Sequence, residues 1–195
     1  MPPGSEDSRT LALLVAKAQS GDRAALDRIL RTLQEPLYRH VLAILRDTEI
    51  SRDVLQDVLF TVCRNLGQLR DPRWFRAWSY RIATREAVRR ARRANAGADR
   101  FAGDEPLDSI EQPPGDEPPE SELLARLPAL LGSLSPASEI VLRMHYLEGL
   151  RYAEIAEALE ISVGTVKSRL AYGLASLRRS LKIERSPRSA SRGVV

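Results

Sequence analysis

The sequence predicts an all-α chain of two small helical domains joined by a flexible acidic linker. Aromatic residues are only 5% of the 195, so a core must be built from Leu, Ile, Val and Ala, which favours helices over a β-sandwich. Apolar residues recur at helical spacing in two blocks, 10–95 and 121–182, and no alternating strand pattern occurs. Between them, residues 96–120 are rich in Pro, Gly and acid, bury little apolar surface and read as a linker. Residues 183–195 form a basic tail expected to be disordered.

The first block reads as four helices. The first covers roughly Thr10–Gln19 and stops at Ser20-Gly21. The second follows Asp22, an N-cap residue, and reaches about Leu45, with Pro36 marking a break or kink. The third runs from about Ser51 to Leu66. Asp71-Pro72 then caps a fourth, Arg73 to Arg93. The second block reads as four shorter helices, near 121–131, 136–147, 152–159 and 163–181, with Ser135-Pro136 and Ser162 as start signals and Gly149 as a separator.

Net charge is +4 and the pI about 9.6, but the distribution says more than the sum. Basic residues cluster at 73–93 and 167–192, and acids at 99–122. Two basic surfaces separated by an acidic stretch point to a polyanionic partner. Cys63 is the only cysteine, so no intrachain disulfide is possible, and with His40 and His145 it has no metal-ligand spacing. No nucleophile–base pair, Gly-rich phosphate loop or His/Cys cluster argues for an enzyme, and no cofactor is expected. His145 and Cys63 read as packing residues. The N-terminal MPPGSEDSRT lacks the form of a secretory signal and no stretch approaches a membrane span, so a cytoplasmic location without membrane insertion is expected.

The sharpest motif is YAEIAEALEISVGTVKSRLAYGLASLRRSL, residues 152–181. Ile155, Ala156 and Leu159 form a short apolar face, Ile161 plugs a turn, and Val166, Leu170, Leu174 and Leu177 follow at helical spacing. A short helix, a tight turn and a longer helix make a helix-turn-helix, whose second helix meets base edges with its N-terminal residues. Thr165, Lys167, Ser168, Arg169, Tyr172 and Arg179 lie on the remaining faces of that helix, and Lys167 and Arg169 suit guanine or phosphate. The competing reading is a plain helical hairpin with a solvated basic face.

The segment 73–93 carries Arg73, Arg76, Arg81, Arg85, Arg89, Arg90, Arg92 and Arg93 against one acid, Glu86. Arg81, Arg85 and Arg89 climb one side of the helix. Such a row repels itself unless something negative lies alongside, and DNA phosphate is the expected partner. Trp74, Trp78 and Ile82 fall at i, i+4 and i+8, which reads as a core stripe, while aromatics beside a basic row also suit stacking on unpaired bases.

Four stretches, AKAQSGDRAALDRIL, RDVLQDVLFTVCRNL, WFRAWSYRIATREAVRRARR and LRYAEIAEALEISVGTVKSRLAYGLASLR, together resemble the extracytoplasmic-function sigma factors of the sigma-70 family. The resemblance covers about 10–93 and 121–181. It implies a first domain that binds core RNA polymerase and recognises and melts the −10 promoter element, and a second that binds the −35 element. It puts Asp53, Gln56 and Asp57, which share one helix face, at the polymerase contact. The −10 residues would be Arg73, Arg76, Trp78, Arg81, Arg85, Arg89, Arg90, Arg92 and Arg93; the −35 residues would be Thr165, Lys167, Ser168, Arg169, Tyr172 and Arg179. It also implies an anti-sigma factor that holds both domains and hides the 51–66 face.

The sequence departs from the family pattern at several positions. Arg85 stands where Asn is common, Arg89 where Asp is, Tyr172 where Arg is frequent, Ser162 for Pro and Glu160 for Gly. The alternative function is a free-standing helix-turn-helix regulator acting without polymerase; it leaves the Asp53-Gln56-Asp57 face and the aromatic-arginine helix unexplained.

Overall fold

The computed structural model describes residues 5–93, 126–128 and 130–185. The predicted linker, 96–120, and residues 186–195 of the tail lie outside the described residues. All regular structure among the described residues is helical.

The first domain holds α1 (Ser5–Gln19), α2 (Arg23–Leu45), α3 (Thr48–Asn65) and α4 (Phe75–Arg93), with 3₁₀ turns at Leu66–Gln68 and Pro72–Trp74. Gly21, at φ 95°, makes the turn after α1 that side-chain-bearing residues resist. Asp22 accepts from the Ala25 N–H at 3.0 Å and caps α2. Pro36 sits inside α2 without ending it, so of the expected break or kink the break does not occur. Ile29, Leu33, Leu37, Val41 and Ile44 are buried on both sides of it. Each contributes about 1.5–3 kcal/mol of burial, which together outweigh the ~3 kcal/mol a mid-helix proline costs.

Asp47 accepts from the Ile50 N–H at 2.9 Å, so α3 begins three residues earlier than the sequence predicts. The Gln19 side-chain amide donates to the Leu66 and Leu69 carbonyls at 2.9 and 2.8 Å, tying the end of α1 to the turn after α3. Asp71 caps the Pro72 turn as expected, accepting from the Arg73 N–H at 3.0 Å.

The buried stripe of α4 differs from the one predicted. Trp74 is 39% exposed, and Trp78 and Ile82 are only partly buried against the core. Phe75, Ser79, Ala83, Ala87 and Ala91 are buried instead, with Ala77 and Tyr80. α4 packs against α2, α3 and the second domain at once. A helix covered on several sides takes small residues where backbones approach, and an indole is too large for that position.

The second domain begins with a helical turn at 126–128 and a 3₁₀ turn at Leu131–Ser133, which bury Leu127 and Leu131. α5 (Pro136–Leu142), capped by Ser135, runs into a π-helical turn at Arg143–Leu147. α6 (Tyr152–Leu159) and α7 (Val163–Arg185) follow. α7 continues past the predicted end near 181, so residues 183–185 belong to the helix rather than the tail. A Cβ on Gly173 of α7 would lie 2.5 Å from Leu142 Cδ1 and 3.3 Å from Ser138 Cβ, so glycine sets the close approach of α7 to α5.

The two domains pack on each other. α4 lies along α6, α2 touches α5, and the buried apolar side chains form one continuous cluster through both.

Candidate nucleic-acid interface

α6 and α7 form the helix-turn-helix. The turn is Glu160-Ile161-Ser162. Glu160 adopts a left-handed conformation, φ 57° and ψ 41°, and its N–H bonds back to the Ala156 carbonyl. A side chain at that φ costs about 1 kcal/mol relative to glycine. The Ile161 N–H also reaches Ala156 O, at 3.1 Å. Ser162 Oγ accepts from the Thr165 N–H at 3.0 Å and lies 2.9 Å from Thr165 Oγ1, so Ser162 caps α7 as predicted. Ile155, Val166 and Leu177 are fully buried beneath this scaffold.

The six predicted −35 residues spread over different environments. Lys167 and Arg179 are exposed; Thr165, Ser168 and Tyr172 are half-buried. Ser168 Oγ donates to the Thr165 carbonyl at 3.0 Å. Arg169 is only 9% exposed and points to the seam between the domains. There it lines a crevice of about 590 Å³ with Arg85, Arg89, Arg92 and Arg93 above an apolar floor that includes Ile44, Ile140 and Leu159.

The arginine row of α4 has carboxylates beside it. Arg81 pairs with Glu157, Arg85 with Glu160 and Arg89 with Glu86. Arg76 donates to the Glu148 backbone carbonyl. Of these acceptors only Glu86 belongs to α4; the others come from the second domain. Arg90, Arg92 and Arg93 are exposed at the end of α4. Arg73 is exposed and held by Asp71, Nη2 to Oδ2 2.7 Å, and hydrogen bonding to Arg73 lowers the Asp71 pKa.

Deeper in the seam, Glu139 is 2% exposed and meets Arg46 of the first domain and Arg143 of its own, the latter at 3.1 Å. The Glu148 carboxylate, also buried, lies 3.6 Å from Arg39. Burial, then the Glu148 charge, raises the Tyr80 hydroxyl pKa well above its ordinary value. His40 is fully buried, with Nε2 2.8 Å from Thr84 Oγ1 and its ring edge-on to Tyr80. Thr84 Oγ1 itself donates to the Tyr80 carbonyl, so His40 carries its proton on Nε2. Burial, then the nearby Arg143 charge, pushes the His40 pKa down to about 3.

Asp53, Gln56 and Asp57 are all exposed on one face of α3. Phe60 continues that face and is 66% exposed. The sequence reading missed Phe60; its signal was the i, i+3, i+4, i+7 spacing from Asp53, which puts an apolar ring where a solvated face should be polar. The acids of the seam were missed as well, because their partners in the first domain, Arg39, Arg46, Arg81 and Arg85, lie at least 75 residues away in the chain. Among the described residues no group of His, Cys, Asp and Glu is arranged to hold a metal ion, and no helix is long and apolar enough to cross a membrane.

Residues 29–97 match the family Sigma-70 region 2, and residues 124–177 match Sigma-70, region 4. The chain is 30% identical over 167 residues to the RNA polymerase sigma-H factor of Pseudomonas aeruginosa, covering 80% of this chain and 86% of that protein. It is 30% identical over 179 residues to the ECF RNA polymerase sigma factor SigK of Mycobacterium sp. (strain KMS), covering 88% of this chain and 90% of that protein. Its fold is shared with CnrH, solved in complex with the cytosolic domain of CnrY, at a TM-score of 0.60 and 23% identity over 89% of this chain and 98% of that one. A helical first domain with an arginine-rich last helix, a helix-turn-helix second domain, and these matches lead to one assignment: the chain belongs to the extracytoplasmic-function subfamily of the sigma-70 family, the sigma factors that direct bacterial RNA polymerase to promoters.

Proposed function

We propose a division of labour along the chain. The first domain, 10–95, binds core polymerase through Asp53, Gln56 and Asp57, with Phe60 as an apolar anchor one turn further along the same face. Its last helix recognises and helps melt the −10 element through Arg73, Arg76, Trp78, Arg81, Arg85, Arg89, Arg90, Arg92 and Arg93. Residues 96–120 link it to the second domain, 121–182, which reads the −35 element through Thr165, Lys167, Ser168, Arg169, Tyr172 and Arg179; the basic 183–195 segment follows. The protein works in the cytoplasm and carries no catalytic chemistry of its own, since polymerisation belongs to the core enzyme.

The observation that carries this reading is the α3 face. An exposed phenylalanine flanked by Asp53, Gln56 and Asp57 remains uncovered by every other described element. Aromatic anchors with polar surrounds are the places where interfaces concentrate binding energy. A free-standing regulator has no use for such a face. An anti-sigma factor that spans both domains and covers 51–66 is the further expected partner; the solved relative is itself bound to a second protein, the cytosolic domain of CnrY.

The test is binding of purified chain to bacterial core polymerase. The triple variant Asp53→Ala, Asp57→Ala, Phe60→Ala should lose at least tenfold in affinity, about 1.4 kcal/mol, with an unchanged melting temperature. Wild-type affinity in that variant would reject the α3 assignment.

A further inference from the structure

We propose that the crevice between the two domains is a binding site for an amphiphilic organic anion, whose apolar body lies on the crevice floor and whose carboxylate or phosphate head meets the arginines. The site stands whether or not α4 contacts DNA.

Three observations carry it. The first is volume: the crevice encloses about 590 Å³, inside the span of roughly 300–1,000 Å³ that small-molecule sites occupy. The second is the floor. Ile44 comes from α2, Val88 from α4, Ile140 from α5, and Leu159 and Ile161 from the end of α6 and the turn after it. None of these side chains offers a hydrogen bond, so water on the floor is readily displaced by an apolar body. The third is charge. Arg85, Arg89, Arg92, Arg93 and Arg169 line the same space with a single carboxylate, Glu160. Arg85 holds Glu160, and Arg89 pairs with Glu86 of its own helix. Among the described residues no carboxylate pairs with Arg92 or Arg93. Arg169 is 9% exposed, so positive charge reaches into the crevice as well as along its rim. A concave wall of one sign concentrates ions of the other.

The combination selects the class of ligand. An inorganic anion uses the arginines and leaves the floor wet. A neutral apolar molecule covers the floor and gives Arg92 and Arg93 nothing. An amphiphilic anion satisfies both. Arg89 and Arg93 stand four residues apart on α4, with Arg92 three after Arg89, so their guanidinium groups gather on adjacent turns. The planar fork of each donates two parallel N–H bonds to a carboxylate or phosphate, which a lysine cannot do. Because the floor is built from both domains, an occupant touches both, and its binding stabilises the folded chain by mass action.

Isothermal titration calorimetry on the full chain tests this with decanoate, kept below its micellar concentration. Decanoate should bind saturably at one site per chain. Decyltrimethylammonium has the same tail with the opposite charge, and acetate has the head without the tail; each should bind weaker by about tenfold or more. Arg92→Gln with Arg93→Gln should weaken decanoate by about tenfold, through loss of the charge-assisted bonds to the head. Arg23→Gln with Arg31→Gln makes the same change in net charge at exposed positions that do not line the crevice, and should leave the affinity unchanged. Val88→Phe fills the floor and should abolish decanoate binding; its melting temperature without ligand checks that it is folded, and the exposed arginine pair tests the site independently of it. No saturable binding of decanoate, equal binding of the cationic amphiphile or of acetate, or wild-type affinity in the Arg92 and Arg93 variant would each overturn the assignment.

Discussion

Acidification should weaken this protein through a single buried imidazole. In the folded chain the His40 pKa lies near 3, against an ordinary value of 6.5. Burial is the main cause and the Arg143 charge the second. The ring's Nδ1 is buried without a hydrogen-bond partner, so a proton there finds neither water nor an acceptor. The unfolded chain takes that proton below pH 6.5, and the native state does not until about pH 3. The native state therefore has its full stability above pH 6.5 and loses it progressively as pH falls from 6.5 toward 3. The slope approaches about 1.4 kcal/mol per pH unit, and the loss at pH 5 is about 2 kcal/mol. Urea unfolding at pH 7.5 and 5.0, followed by the fluorescence of Trp74 and Trp78, measures it. His40→Gln keeps a donor toward Thr84 and has no titrating ring, so its stability should change less over the same interval by about 2 kcal/mol. Other carboxylates titrate equally in both proteins and cancel in the difference. Parallel pH profiles for wild type and variant would refute the reasoning.

Gly173→Ala should destabilise the second domain by about 1–3 kcal/mol, because the new methyl meets the fully buried Leu142 and the Ser138 Cβ; a lowered melting temperature checks it. Glu139→Ala strands Arg143, whose Nε is already buried without a partner, and removes the acceptor of Arg46. Its expected cost is about 2–3 kcal/mol by chemical denaturation, with Glu139→Gln recovering part. Lys167→Ala combined with Arg169→Ala should abolish −35 selectivity in competition binding by the polymerase holoenzyme; selectivity that survives would reject α7 as the reading helix.

The elements most legible in the sequence are those with local punctuation. Asp22, Asp71-Pro72, Ser135-Pro136 and Ser162 all cap or open helices where their chemistry requires. Pro36 does not end α2, because the apolar stripe Ile29 to Ile44 continues through it. On α4 the tryptophans read as core because size was taken for burial. In a helix packed on several sides the alanine series 83, 87, 91 lies deepest. The arginine row itself was legible, and so was its need for negative charge. Which negative charge was not, because Glu157 and Glu160 lie some 75 residues away and meet the row only through the packing of α6 on α4. Arg169 shows the same limit: helical spacing gives its azimuth on α7, and the domain seam decides its exposure.

The most direct test of the account is transcription in vitro, with this chain added to bacterial core polymerase on a pool of promoter fragments. The account predicts initiation that depends on the added chain, at sites sharing one −35 and one −10 sequence, and that is lost with Lys167→Ala and Arg169→Ala together. Failure of the chain to bind core polymerase, or initiation at sites with no shared sequence, would contradict it.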